Sequence, residues 1–526
     1  MQGIRQVRSL ITLLVLVGTC VLAFFIRLFA IIKFESIIHE FDPWFNYRAT
    51  AKMVTMGFYD FLNWFDETAW YPLGRVVGGT VYPGLMVTAG TIHAFLNGLG
   101  FTTNIQDVCV FTAPIFSGLT AVATYLMTSE VWTSGAGLVA ALFIGINPSY
   151  ASRSVGGSFD NEGISIFALQ FSFWLWLRAL RTGSCTWSVL LAISYMYMTS
   201  AWGGYVYIIN LIALHAFVLI LMGRYSIKLY VSYTTFYCIG QLMAMNIPFV
   251  GFLPVSSSEH MAGFGVFGLL QIVGLMNYLR SSLGFENTRK LFVFIVLLVI
   301  GLGTGGLVAL TAAGFIQPWN GRFYSLWDTG YAIIHLPLIA SVSEHQPSQA
   351  QFYFNDLSIL PLFGLAGIWY CFNKATDGCI FLVIYAIFSA YFSGIMVRLM
   401  LTLSPILCIL AAIGLSETIK TVFVANEAKN EIEELVELVH EESTDESGEP
   451  KPKQMIKVKK TPFMEHFKND FFLTRLMLLG ACCGASAHYV YHSEQMIERA
   501  YSNPTVILSG TSRGKPYIID DFRKRD

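Results

Sequence analysis

The chain has 526 residues, 55% of them hydrophobic and 13% charged, with a formal net charge of −1 and a mean hydropathy of +0.57. That balance excludes an ordinary soluble globular protein, and without a basic excess it excludes nucleic acid as a partner. What remains is an all-α polytopic membrane protein whose first partner is the lipid bilayer.

In chain order, the run from Leu10 to Ile32 is longer than the apolar core of a signal peptide and lacks a small-x-small cleavage pattern, so it reads as an uncleaved signal anchor. Arg5 and Arg8 in front of it put the N-terminus in the cytosol. Residues 33–112 form a long first non-cytosolic loop that opens with Glu40-Phe41-Asp42-Pro43-Trp44-Phe45-Asn46-Tyr47-Arg48. Pro43 fixes a turn there, and the aromatic residues suit a membrane-interface belt. An apolar stretch at 81–99 lies within this loop, but Pro83, Gly84, Gly90, His93, Asn97 and Gly98 interrupt it. It is expected at the interface or inside protein, not across the bilayer.

Further spans are predicted at 113–131, 134–151, 163–180, 185–199, 205–222, 229–252, 261–279, 292–310, 351–372, 379–396, 400–421 and 472–491, giving about thirteen transmembrane helices with the first. On this map Arg178, Arg181, Arg224, Lys228, Arg289, Lys290, Lys374 and the lysines after Pro450 all share the side of Arg5, as the positive-inside rule asks. The loops 33–112, 152–162 and 311–350, and the C-terminus, then face the other compartment. Residues 1–421 make the multi-span domain, and 422–470 a charged cytosolic linker that runs from acidic to basic around Pro450. The last span follows at 471–491, and 492–526 enter that other compartment. The nine cysteines are scattered, mostly in apolar runs, and read as small buried hydrophobes.

Ionisable residues near the bilayer cost roughly 2.5–3.5 kcal/mol each on insertion scales, so those that persist mark candidate chemistry. Asp42 stands just outside the first span, as a member of a site or as a solvated cap. Arg153-Ser154-Val155-Gly156-Gly157-Ser158-Phe159-Asp160-Asn161-Glu162-Gly163 joins an arginine, a glycine pair and an Asp-x-Glu. Asp160 and Glu162 could grip one hard divalent cation from a single turn, or cap the helix that follows. Glu344 ends Ser341-Val342-Ser343-Glu344, and Arg398 lies between two late spans as an interfacial snorkel or a fork for a lipid-linked phosphate. Several acids and two arginines facing one chamber fit group transfer from a membrane-bound phosphate carrier.

At these residues the chain resembles the catalytic-subunit family of eukaryotic oligosaccharyltransferases, membrane glycosyltransferases of the C superfamily. Glu-Phe-Asp-Pro-Trp-Phe-Asn-Tyr-Arg at 40–48, Asp-Asn-Glu at 160–162 and Ser-Val-Ser-Glu at 341–344, in that order and on one face, carry the resemblance, with Trp202-Gly203-Gly204-Tyr205 and the context of Arg398. It implies the C-superfamily architecture and inverting transfer of an oligosaccharide from dolichyl diphosphate to asparagine of Asn-x-Ser/Thr in a nascent polypeptide, at the endoplasmic reticulum membrane beside other oligosaccharyltransferase subunits. It also implies that Asp42, Asp160 and Glu162 ligate Mn²⁺ or Mg²⁺, that Asp42 and Glu344 contact the acceptor amide, that Arg398 binds the donor pyrophosphate and that Arg153 supports catalysis. The family continues into a luminal domain with a Trp-Trp-Asp-Tyr-Gly motif; residues 492–526 are expected to be its start. Another membrane glycosyltransferase such as a protein O-mannosyltransferase, a non-catalytic fragment and a transporter are the alternatives, the last disfavoured because the acids lie in loops on one face.

Overall fold

The computed structural model describes residues 2–283, individual positions between 290 and 328, and residues 330–424, 462–503, 507–512 and 515–521. Most of these are helical, because an apolar chain in lipid must satisfy its backbone groups within each segment. The chain starts with α1 (Gln2–Phe25), turns at 26–28 and resumes as α2 (Phe29–Phe34). The predicted first loop then holds α3 (Phe41–Met56), α4 (Phe58–Leu62), a ribbon of β1 (Phe65–Asp66) with β2 (Arg75–Val76), and α5 (Gly84–Gly98). Helix α5 coincides with the interrupted stretch 81–99. It buries Leu85, Met86 and Ala89 on one side.

After α5 come α6 (Ile105–Val131), α7 (Ser134–Ile146), α8 (Pro148–Ala151), α9 (Asn161–Thr182), α10 (Cys185–Ala201), α11 (Tyr205–Leu221), α12 (Ile227–Met245), α13 (Leu253–Ser256) and α14 (Met261–Leu283). Longer helices follow at Ala350–Leu357, Leu360–Lys374, Asp377–Ile395, Met400–Val424 and Pro462–Met496. Among the described residues six helices are long and apolar enough to cross a membrane, or up to seven if one bent pair is a single span. Each predicted span has a helix at its place except 292–310, which falls largely outside the described residues, as do 315–323 of the loop 311–350 and 425–461 of the linker. The linker is bounded more tightly than 422–470: residues 422–424 finish one helix and 462–470 begin the next.

Three boundaries differ from the sequence reading for local reasons. The predicted span 134–151 ends at Ile146, because Pro148 offers no N–H and Asn147 instead caps α8, accepting from Tyr150 N at 3.3 Å. The span 229–252 stops at Met245, just before Pro248. The span 351–372 is two helices bent by 83°, with Ser358 at φ 48 ending the first and Pro361 opening the second. The chain is mostly helical, and besides β1–β2 the strands β3 (Ile507–Ser512) and β4 (Lys515–Asp521) pair antiparallel with a bulge at Leu508/Ser509. In β1–β2, Asp66 faces Arg75 across the ribbon, and its Oδ1 accepts from Thr68 N at 3.0 Å and Arg48 Nη2 at 2.8 Å, closing the turn on α3.

Helix α9 and the helix at Met400–Val424 lie deepest, whereas the first span is mostly exposed. Small residues let backbones touch: a Cβ on Gly367 would fall 1.9 Å from Leu410 O, and one on Gly414 2.3 Å from Phe363 O. The two ends of the bundle differ in charge. Asp160 starts α9; Arg178 and Arg181 end it, bonded to Glu130 at 3.1 and 2.5 Å. At that same far end Arg224 pairs with Asp377 at 3.0 Å, and Lys374 Nζ stands 4.1 Å over the Trp132 ring.

Candidate active site

The site grows from the return of the chain after the first span. Residues 35–40 run beside the loop 153–160, with His39 N donating to Gly157 O at 3.4 Å and Gly157 N to Val110 O at 3.3 Å. Gly157 has φ 92, and a Cβ there would lie 2.4 Å from Ile37 O, so only glycine fits. Glu40 precedes α3 at φ 72, ψ 165, a region almost confined to glycine that costs of the order of 1–3 kcal/mol for other residues. Asp42 follows in the exposed first turn of α3.

Asp160 is the N-cap of α9, with Oδ1 accepting from Asn161 N at 2.7 Å, so the capping reading of this acid holds. Glu162, inside the first turn, is fully buried. Arg398, in the 3₁₀ turn Val397–Leu399, donates from Nε to Glu162 Oε1 at 2.8 Å, and its Nη2 bonds the same oxygen. Glu162 Oε2 is buried and receives no hydrogen bond from any donor unless the Asp160 carboxyl carries a proton. Burial pushes the Asp160 carboxyl well above the usual range, the neighbouring Glu162 carboxylate adds to this, and Arg398 and the Asn161 amide only partly offset it.

Glu344 lies in the turn Ser343–His345 and forms an ion pair with Arg153 Nη2. Its loop is stitched to the segment of Arg398: Val397 N donates to Gln346 O at 3.0 Å, Ser348 N to Gly394 O at 3.2 Å, and Ser348 Oγ to Ser393 O at 2.5 Å. Burial works against the Arg153 charge, but Glu344 outweighs it and holds the guanidinium more firmly protonated than usual. Glu40 belongs to the same group: desolvation raises its carboxyl, Glu344 and Asp42 push it further, and Arg153 opposes them. The sequence reading passed over Glu40 as part of the 40–48 motif; its signal was an acid two residues from Asp42. It also missed the Tyr501 hydroxyl, which donates to buried Asp356 from the π-turn Ile497–Tyr501 and feels the Arg153 charge.

The structure thus gathers Asp42, Arg153, Asp160, Glu162, Glu344 and Arg398 at one end of the bundle, as two ion pairs and a carboxyl–carboxylate contact. Arg398, read as a phosphate fork, rests on Glu162. Among the described residues no group of three or more His, Cys, Asp or Glu side chains stands as a metal site would, so Asp42 is not drawn onto Asp160 and Glu162. The donor set nonetheless fits a hard divalent cation: two all-oxygen ligands touch, and one buried oxygen lacks a donor.

Comparison with known proteins gives the family of the chain. Residues 10–411 match the family model described as oligosaccharyl transferase STT3, N-terminal. The dolichyl-diphosphooligosaccharide–protein glycosyltransferase subunit stt-3 of Caenorhabditis elegans is 51% identical, covering 98% of this chain and 68% of that protein. The STT3 subunit of Saccharomyces cerevisiae is 48% identical over 95% of this chain and 65% of its own length. The fold is similar to that of the archaeal oligosaccharyltransferase AglB from Archaeoglobus fulgidus, solved with an inhibitory peptide and a dolichol-phosphate, at TM-score 0.65 and 16% identity over 94% of this chain and 56% of that one. The chain therefore spans about two thirds of the length of these curated relatives and just over half of the archaeal structure.

Proposed function

Because the chain belongs to the STT3 family of oligosaccharyl transferases, we propose that it carries the membrane half of the active site that moves an oligosaccharide from dolichyl diphosphate to the side-chain amide of asparagine in Asn-x-Ser/Thr. The observation that carries this reading is the joining of Arg153 to Glu344 and Arg398 to Glu162 across separate segments, with Asp42 and Asp160 alongside. An amide nitrogen is a poor nucleophile while its lone pair is shared with the carbonyl. Asp42 and Glu344, accepting its two N–H groups, weaken that sharing, and Arg153, ion-paired to Glu344, holds that side chain in place. The nitrogen then bonds to the sugar C1 from the face opposite the diphosphate, the C1–O bond breaks with its electron pair going to the diphosphate, configuration inverts, and an amide proton passes to a carboxylate. Arg398, turning from Glu162, meets the departing charge. Mn²⁺ or Mg²⁺ held by Asp160, Glu162 and Asp42 would neutralise that diphosphate further.

The same family reading supports about thirteen crossings with a long first luminal loop, the N-terminus cytosolic and the site end in the lumen of the endoplasmic reticulum. The gathering of Arg178, Arg181, Arg224 and Lys374 at the far end supports that orientation. The exposed first span, with Leu10, Leu14, Val17 and Val21 outward, suits lipid or a companion subunit.

The test is transfer to a fluorescent Asn-x-Thr peptide from a dolichyl-diphosphate-linked donor, using protein purified from its native membranes. Glu344→Gln is expected to lower turnover by about a hundredfold or more at an unchanged protein level. Turnover equal to the unsubstituted protein would overturn the assignment of Glu344, and no transfer by the unsubstituted protein would overturn the function.

A further inference from the structure

Arg27 is a fully buried arginine of the first span, and no carboxylate compensates it among the described residues. Its donors go to three different places. Nε bonds Ser154 Oγ at 2.7 Å, and Nη1 bonds Ala23 O at 2.7 Å and Gly145 O at 2.6 Å. Its guanidinium carbon lies 5.0 Å from the centre of the Tyr150 ring, and its backbone carbonyl accepts from Gly156 N at 2.9 Å. Nη2 is left without a partner. A charge in that setting is expensive, so the residue should have a role beyond filling space.

The contacts converge on the chain between Arg153 and Gly163. Ser154, bonded to Arg27, is next to Arg153, and Gly156 is tied to the Arg27 carbonyl. Tyr150, under the guanidinium, donates from its hydroxyl to Gly163 O at 3.2 Å, next to Glu162, and meets Thr120 Oγ1 at 2.9 Å. Arg27 therefore holds one end of the segment that supplies Arg153, Asp160 and Glu162 directly, through Ser154 and Gly156, and the other through Tyr150.

We infer that Arg27 is a positioning residue, which braces the 153–163 segment from both ends so that Arg153 meets Glu344 and Glu162 meets Arg398. The inference rests on the transferase reading for its activity assay but not for its structural one. The brace needs the planar fork and not the charge alone, since its three hydrogen bonds diverge. Lysine, with a single nitrogen, keeps the charge and loses the span of contacts.

Arg27→Lys and Ser154→Ala are compared in protein purified from native membranes. Turnover should fall about tenfold for Arg27→Lys and severalfold for Ser154→Ala, with melting temperatures within a few degrees of the unsubstituted protein. Arg27→Lys added to Arg153→Lys should cost less than the product of the two single losses, because both act in part through the Arg153–Glu344 pair. Hydrogen exchange over 150–163 should quicken in both single variants, whatever the assay shows. Full turnover in Arg27→Lys, losses that multiply in the double variant, or unchanged exchange over 150–163 would each overturn the brace. If Arg27→Lys fails to accumulate, Ser154→Ala decides by the same readouts. An unsubstituted protein that transfers nothing overturns the transferase reading alone, and exchange still tests the brace.

Discussion

Burial raises the Asp160 carboxyl, so a proton competes there with any cation. This carboxyl titrates above the ordinary aspartate range of about 3.9, so below that raised value it is neutral and can donate to Glu162 Oε2. A divalent ion needs both carboxylates ionised. Its binding should release the proton and tighten as pH rises, the reverse of what a depressed acid would give. Calorimetric Mn²⁺ titrations in two buffers of different ionisation enthalpy measure this directly; Asp160→Asn should abolish the proton release, and pH-independent binding without release would sink the idea. The site acids and Arg398 were legible in the sequence because charge beside apolar runs is costly and rare. Their pairing was not: nothing in the order of residues says that Arg398 rests on Glu162, 236 positions away, since that follows from how α9 packs. Glu40, an acid two residues from Asp42, escaped because it reads only as part of the 40–48 motif.

Between elements, glycines decide how closely the helices approach. Gly367 has no room for a methyl group against the Leu410 carbonyl, whereas Gly480 has nothing within 4 Å. Gly367→Ala should destabilise the bundle by about 1–3 kcal/mol and lower the melting temperature in detergent, while Gly480→Ala leaves it unchanged or slightly raised; equal melting temperatures for both would mean the close approach carries no strain. Helix positions were readable from apolar runs, and α5 was rightly set apart by its glycines, proline and asparagine. Ends and bends were less readable. Hydropathy scores Pro148 or Ser358 as one residue among twenty, while the lost N–H of one and the positive φ of the other stop a helix outright. The ribbons β1–β2 and β3–β4 are held by cross-strand pairing, which a scan for membrane helices does not look for.

The whole molecule is polarised, with acids and the two paired arginines at one end and basic residues at the other. Exposed Cys185, at the start of α10, reports on the basic end. In sealed endoplasmic reticulum vesicles an impermeant maleimide should label Cys185 without detergent, while Ala69→Cys at the ribbon should react only after permeabilisation; the opposite pattern would invert the orientation. The acidic end has its own consequence for choice of partner. Four carboxyl groups, at Glu40, Asp160, Glu162 and Glu344, face the guanidinium groups of Arg153 and Arg398, and a fifth, Asp42, stands beside Glu40. The resting mouth is thus short of positive charge even with Asp160 protonated. A polypeptide whose asparagine is flanked by aspartate or glutamate approaches against that field, and one flanked by lysine approaches with it. Under the proposed function this field should favour lysine-flanked acceptors, and less so as salt screens it.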